Sequence, residues 1–456
     1  MRSLSFKWIV FVTSLAFVVA QLDVSIVNIA LPQIAAAYHA DISALQWVID
    51  AYTLAFAVLM LSAGNLGDLL GSKQIFQLGM IIFGIASAGC GFASTAVVLI
   101  IFRILQGIAA AMMIPSSLAL LNQNFAHTPD VRAHAVGMWT AAGSAAIAAG
   151  PVVGGLLIEF TSWRFVFFVN IPICIVGYLL SNRLRDMPSG GGTKQFDIRG
   201  QITWMLSITA LIAVIIEAPK LGFSNWWVLG GLIFSVLVFI TFLRIESRAN
   251  YAMLPFHLFD SRSFNVLLLL GAVLNGAYYG TVFILSLYLQ KVLHYSSLLA
   301  GLAFLPLTVG FVISNVFSGR IINKYGIRPP ILIGLVMFIA GFAGLFVAGP
   351  NTPYITLFLP FLIIPLGMGL AVPSMTTGIL SSVDKSLSGT ASAILNTVRQ
   401  TAGAIGVAVF GAMAAGGDPA ILRAVTKSAG VSIAFAIFTV ILIFKLLKVQ
   451  SSPNEG

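Results

Sequence analysis

Long apolar runs, each closed by a short polar or glycine-bearing turn, recur from end to end of the chain. They lie near 8–30, 44–66, 75–97, 98–121, 134–158, 165–183, 201–219, 226–244, 263–290, 298–318, 331–348, 353–379, 388–415 and 428–448. Most approach the roughly 20 residues that an α-helix needs to cross a hydrocarbon layer about 30 Å thick. The pattern predicts an all-α integral membrane protein with fourteen transmembrane helices, since a spanning segment must satisfy its backbone polar groups internally. Composition agrees: 59% of the 456 residues are hydrophobic and 8% are charged, against about 25% charged in a soluble domain. The first run follows Arg2 and Lys7 and has the start of a cleaved leader. It continues to Ala37, however, and thirteen more runs follow, so it reads as the first span.

The net charge of +10 changes the picture only through its placement. With the N-terminus inside and spans alternating, 17 of the 24 Lys and Arg fall on the inner side and five on the outer side. The remaining two, Arg103 and Arg399, fall within spans. Such a bias sets both termini in the cytoplasm of a bacterial-type inner membrane. Basic charge here reports topology, and no nucleic-acid partner is expected. The two cysteines, Cys90 and Cys174, lie in apolar runs without metal-ligand spacing and read as small core residues.

Two cytoplasmic turns repeat one another. "SAGNLGDLLGSKQIFQLGMIIF" carries Gly64, Gly71, Lys73, Gly79 and Phe83, and "FSGRIINKYGIRPPILIGLVMF" carries Gly319, Gly326, Arg328, Gly334 and Phe338, all at an offset of 255. Pro115 and Pro373 repeat at 258. An offset this long spans eight helices, two more than a plain six-plus-six repeat. The excess matches the pair of runs at 201–244, flanked by "RDMPSGGGTKQFDIRG" and "RIESRANYAMLPFHLFDSRSF". The predicted domains are therefore a six-helix half at 1–186, a linker with an inserted hairpin at 187–262, and a second six-helix half at 263–456. A site between repeated halves is a recurring transporter design.

Charges inside the spans carry the candidate chemistry. Asp23 lies well within the first run, where a carboxylate costs about 2.5–3.5 kcal/mol on insertion scales. Counting roughly 1.5 Å per residue from the outer ends, Asp23, Arg103 and Asp50 fall within about one helical turn of each other in depth. Intramembrane acids commonly serve as proton relays, and hydration and a nearby cation act oppositely on a carboxylate's proton affinity. Asp23, Arg103 and Asp50 are accordingly the expected proton-coupling residues, with a purely structural ion pair as the alternative. Asp50, nearer the interface, is equally readable as a solvated side chain. Asp41 reads as a loop residue, with Ser43 and Gln46 forming a capping box for the second span. Arg399 lies near the midplane and needs a carboxylate, carbonyls or water. It is expected to brace a cavity wall or to meet an anionic or zwitterionic substrate, with bracing preferred. No acid occurs in "LPFLIIPLGMGLAVPSMTTGIL", which confines coupling to the first half and gives no reason to expect dicationic substrates.

Five segments together carry a resemblance that covers essentially the whole chain. They are "LDVSIVNIALP", "GNLGDLLGSK", "RILQGIAAAMMIP", "GPVVGG" with "SWRFVFFVNIPI", and "GTASAILNTVRQTAGAIGVA". The chain resembles the fourteen-helix drug:proton antiporters of the major facilitator superfamily, which include quaternary-ammonium and tetracycline exporters. The resemblance implies a major-facilitator fold and a monomer that exchanges a small amphipathic compound for protons. It implies a cytoplasmic latch at Gly64, Asp68, Gly71 and Lys73, although Leu69 and Ser72 replace basic residues usual there. It also implies an antiporter motif at Gly150, Pro151, Gly154 and Gly155, which ordinary tight packing would equally explain. No cofactor and no metal are expected. All five histidines fall in or near loops, and there is no phosphate-binding "GxxxxGK[ST]", so an enzyme is not expected. Neither a channel nor a non-transporting receptor is favoured. A metabolite exporter or a proton-coupled importer on the same scaffold is the alternative.

Overall fold

The computed structural model describes residues 5–125, 129–184, 197–249, 254–384 and 387–447. The expected glycine-rich linker at 187–196 lies outside the described residues. Sixteen α-helices follow in order: α1 (Phe6–Tyr38), α2 (Ile42–Leu70), α3 (Ser72–Phe92), α4 (Ala96–Asn124), α5 (Pro129–Phe160), α6 (Phe165–Phe168), α7 (Asn170–Ser181) and α8 (Ile198–Leu221). They continue as α9 (Trp226–Glu246), α10 (Arg262–Leu287), α11 (Ser297–Ala303), α12 (Leu305–Tyr325), α13 (Arg328–Gly344), α14 (Tyr354–Ser381), α15 (Ser388–Ala414) and α16 (Asp418–Leu446). The described residues contain no strand.

Thirteen helical segments are long and apolar enough to cross a membrane, and the fourteenth expected span is the shorter apolar segment Phe165–Ser181. It is broken between α6 and α7, where Pro172 occupies the first turn of α7. A proline is tolerated there because the amide it lacks would have had no partner. The start of α2 departs from expectation. Its N-cap is Asp41, whose Oδ1 accepts from the Ala44 amide at 2.9 Å. The helix begins at Ile42, so Ser43 already lies inside the first turn and the N-cap falls two residues earlier than expected.

The chain forms two compact units, one of residues 1–210 with 232–253 and one of 211–231 with 254–456. In the first, α1 packs along α5, α2 and α3 both pack on α4, and α3 meets α7. In the second, α10 packs along α15, α12 and α13 both pack on α14, and α13 meets α16. The same pairings therefore recur, and the repeated residues do the same work in each unit. Gly71 and Gly326 end α2 and α12 at φ of 97° and 76°, a conformation that side-chain-bearing residues rarely adopt. Two residues on, Lys73 Nζ donates to the carbonyls of Asn182 at 2.9 Å and Leu184 at 3.0 Å, just past the end of α7. Arg328 Nη2 donates to the Phe444 carbonyl at 3.1 Å, near the end of α16. A cation is favourable at a helix C-terminus, where carbonyls are left over. In each unit the repeat's basic residue thus ties its turn to the end of a later helix, α7 in the first and α16 in the second.

Gly79 and Gly334 supply the third shared function. A β-carbon on Gly79 would lie 2.9 Å from Met113 Cβ, and one on Gly334 would lie 3.1 Å from Ala371 Cβ and N. Both glycines let backbones approach, as small residues do between membrane helices that lack a hydrophobic drive to associate. Around Gly79, the first unit's core is built from Phe76, Met80, Phe83, Met113 and Ile114.

The hairpin of α8 and α9 is held by polar contacts within apolar surroundings. Gln201 Nε2 donates to the Val58 carbonyl at 2.7 Å, and Gln201 Oε1 accepts from Ser62. Ser207 Oγ donates to the Ser235 carbonyl at 3.1 Å, and Ser235 Oγ donates back to the Ser207 carbonyl at 3.0 Å. Ile233, Phe234, Val236 and Leu237 of α9 are exposed, as suits a helix that faces lipid.

Replacing Gly334 with Leu is expected to destabilise the protein by about 1–3 kcal/mol, the usual range for overpacking. Gly319→Leu should change stability little, since nothing lies within 4 Å of a β-carbon there. Thermal unfolding of both variants in detergent checks the contrast; equal losses would remove the packing role assigned to Gly334.

Candidate functional site

Asp23, halfway along α1, is fully buried, and so are all the side chains that answer it. Its Oδ2 pairs with Arg103 Nη1 of α4. Its Oδ1 accepts from Asn170 Nδ2 at 2.8 Å and from Gln106 Nε2 at 3.2 Å. Arg103 is held from further sides. Its Nε donates to the Val48 carbonyl at 2.9 Å, and its Nη1 donates to Gln106 Oε1 at 2.8 Å. The guanidinium also lies 4.4 Å from the centre of the Tyr52 ring, within cation–π range. Gln106 Nε2 reaches Ser87 Oγ of α3 at 2.8 Å, and Cys90 Sγ donates to Gln106 Oε1 at 3.3 Å. The network joins α1, α2, α3, α4 and α7.

The local sequence explains the arrangement. Arg103 and Gln106 are three apart on α4 and project from one face. Asn170 opens α7 at the break after α6, which turns its amide toward α1. Gly107, beside Gln106, has the Tyr52 carbonyl and Ala55 Cβ where a β-carbon would stand. That close approach of α2 to α4 places the Val48 carbonyl within reach of Arg103. With two charges out of water, hydrogen bonds to the remaining lone pairs and protons decide whether the pair is tolerable. Among the described residues, Arg103 Nη2 and Asn170 Oδ1 are the atoms of this network left without a partner.

The structure brings Asp23 and Arg103 together and leaves Asp50 outside the cluster. Asp50 is fully buried, not solvated, and neither of its oxygens accepts a hydrogen bond among the described residues. It lies two residues from Val48, a step of about 200° around a helix of 3.6 residues per turn, so it faces away from Arg103. It shares its side of α2 with the buried Gln46 and Thr53. The glycines of "GPVVGG" lie against α1 just past Asp23. A β-carbon on Gly150 would stand 2.8 Å from Ser25 Cβ, and one on Gly154 would stand 2.8 Å from Ile26 Cγ1. Pro151 is accommodated without ending α5, and Gly155 is buried. Phe17 and Trp139 stack with centroids 4.1 Å apart, fastening the same two helices. Of the turn motif, Gly64 falls in α2, Gly71 forms the turn and Lys73 caps α7, while the side chain of Asp68 lies outside the described residues. Arg399 lies in the middle of α15, in the second unit.

Sequence reasoning missed Gln106, Asn170 and Ser87. Their signal was present, since an amide in the middle of a membrane helix needs a partner almost as a charge does. Nothing in the sequence, however, says which of several amides meets which charge. Among the described residues no three His, Cys, Asp or Glu gather as a metal site.

The comparisons with known proteins follow the same lines. Residues 13–407 match the model of the Major Facilitator Superfamily. The chain is 33% identical over 404 residues to a methylenomycin A resistance protein of Bacillus subtilis, covering 88% of this chain and 86% of the relative. It is 32% identical over 398 residues to a tetracenomycin C resistance and export protein of Streptomyces glaucescens, covering 86% and 73% respectively. In fold it is similar to the xylose transporter XylE from E. coli in a partially occluded inward-open conformation. That match has a TM-score of 0.68 at 13% identity and covers 97% of this chain and 98% of the other. A multi-pass helical chain with repeated helix pairings, a buried intramembrane ion pair and these relatives is a membrane transporter, not an enzyme, and it belongs to the Major Facilitator Superfamily.

Proposed function

We propose that this transporter exports small amphipathic antibiotics or related toxic compounds in exchange for protons, with Asp23 as the proton carrier and Arg103 as its charge partner. The observation that carries the reading is the fully buried Asp23–Arg103 pair with amides of Gln106 and Asn170 on the same carboxylate. A proton arriving at Asp23 removes one charge of the pair and leaves Arg103 unanswered. Because Asp23 exposes no surface, the proton can arrive only when the helices around it part. Protonation and conformational change are then linked, which is the requirement for coupling. Each charge moved across 100 mV supplies about 2.3 kcal/mol, enough to drive a useful concentration ratio.

The other assignments follow this reading. Asp50 is a second proton-binding candidate, separate from the ion pair. Gly150, Pro151, Gly154 and Gly155 hold α5 against the segment of α1 that carries Asp23. Gly64, Asp68, Gly71 and Lys73 form the cytoplasmic turn. The working unit is a monomer in a bacterial cytoplasmic membrane with both termini inside. Its halves are 1–186 and 263–456, with the hairpin in 187–262 inserted between them. Export of antibiotics is supported by relatives named for methylenomycin A resistance and for tetracenomycin C resistance and export.

Acid-loaded everted vesicles should release protons when methylenomycin A, tetracenomycin C or lipophilic dyes are added. Asp23→Asn vesicles should release none, and Asp50→Asn vesicles a reduced amount. Release from Asp23→Asn equal to wild type would remove the assigned carrier; no release with any compound from folded wild type would favour import.

Removing Arg103 alone leaves a buried, unanswered carboxylate and is expected to cost about 3–5 kcal/mol of stability. The double variant Asp23→Asn, Arg103→Gln should lose clearly less than the sum of its single variants. A thermal-unfolding cycle in detergent measures this, and simple additivity would mean that the two side chains do not act as a pair.

A further inference from the structure

The second unit carries an intramembrane cation, and no acid lies within the helices from Leu254 onward that surround it. Asp260, Asp384 and Asp418, the acidic residues described from Leu254 onward, all lie at helix ends or in loops, and none is within α10, α12, α13, α14 or α15. Arg399 nevertheless sits midway along α15. From Ala391 to Ala414 this helix has no exposed residue, and Arg399 itself is half-buried. Its Nε is buried and donates to nothing, and the guanidinium makes no hydrogen bond or ion pair among the described residues.

The surroundings fix the side chain without neutralising it. Its stem lies on α10 at Gly271, where a β-carbon would be 3.3 Å from Arg399 Cγ and 3.1 Å from both Met375 Sδ and Leu395 Cδ1. One turn along α15, the Tyr279 ring of α10 stands 3.1 Å from a β-carbon on Gly403. Beyond it, a β-carbon on Gly276 would lie 3.0 Å from the Ala402 carbonyl, so the two backbones are locked together. Asn275, one turn past Gly271, turns its Nδ2 onto the Gly271 carbonyl at 2.8 Å. A wall brace would be expected to use its donors on the wall, and Arg399 does not.

An intramembrane cation left without a partner is costly, and a guanidinium is a planar fork shaped for the two oxygens of a carboxylate. Tyr279 adds an aromatic face and Met375 an adaptable apolar contact. We infer that Arg399, with Tyr279 and Met375, receives the acidic group of the transported compound, so that the substrates are amphipathic organic anions or zwitterions and not lipophilic cations. This rests on the transport reading above and assigns its substrate class.

The test is binding to the purified full-length protein. The probes are 1-naphthoate, biphenyl-4-carboxylate and pyrenebutanoate, each paired with its methyl ester, and tetraphenylphosphonium as the cation. At least one acid is expected to bind tenfold or more tightly than its ester. Arg399→Gln should erase that gap, and Arg399→Lys should keep part of it, with thermal unfolding verifying that both variants are folded. Acids and esters binding alike to wild type, a preference for the cation, or an acid preference that survives in Arg399→Gln would each overturn the assignment. Vesicle assays separate this failure from that of the transport reading. If Arg399→Gln still exports a neutral compound with proton release that Asp23→Asn abolishes, transport stands whatever the acid-binding result. If no compound releases protons from wild type, the transport reading falls, and the binding gap still decides whether Arg399 is an anion site.

Discussion

Asp23 and Arg103 meet where neither could be tolerated alone. In water such a pair contributes little; in a dry interior each partner makes the other possible, and removing one leaves a charge that nothing nearby can screen. The arrangement of the first unit serves this contact. Gly107 lets α2 approach α4 closely enough for the Val48 carbonyl to take the Arg103 Nε proton, and the break before Asn170 turns a second amide onto the carboxylate. The glycines of α5 press on α1 one turn beyond. These features are separate in sequence, and each has its reason in the same buried pair.

The two units share packing and differ in charge. Their helix pairings match, Gly71 and Gly326 turn the chain alike, and Lys73 and Arg328 cap the ends of later helices. Backbone approach and helix ends are general demands on membrane helices, so the repeat has kept what answers them. Among the described residues the ion pair has no counterpart, and the helices α10 and α12 to α15 of the second unit hold Arg399 with no acid inside them. One unit carries the charge pair proposed to take the proton, and the other carries a cation without a hydrogen-bond or ion-pair partner among the described residues. Coupling and recognition are thereby assigned to different residues of one scaffold.

The hairpin of α8 and α9 illustrates how polar atoms direct membrane packing. Its outer face is lipid-like and gives no orientation. Gln201 against Val58 and Ser62 sets where α8 sits on α2, and the reciprocal serines Ser207 and Ser235 set the register of the two hairpin helices. Three polar side chains among apolar neighbours therefore carry the positional information.

Hydropathy alone determined that this chain is a bundle of membrane helices, because a spanning backbone in lipid must bond to itself and the runs that do so are long and visible. The 255-residue offset exposed the repeat, since glycines at turns answer local backbone demands that one sequence position can state. The depths of Asp23 and Arg103 were legible from helical rise, and their meeting was compatible with those depths. Asp50 had a similar depth and did not join them, because depth says nothing about the direction in which a helix points a side chain. That direction, the choice of Gln106 and Asn170 as partners, the move of the α2 cap to Asp41, and the lack of any hydrogen-bond acceptor at Arg399 among the described residues were decided only by the tertiary structure. Each depends on how helices distant in sequence rotate about their axes and how closely they approach. Those quantities are fixed by the packing of many small contacts at once, and no single stretch of the chain contains them.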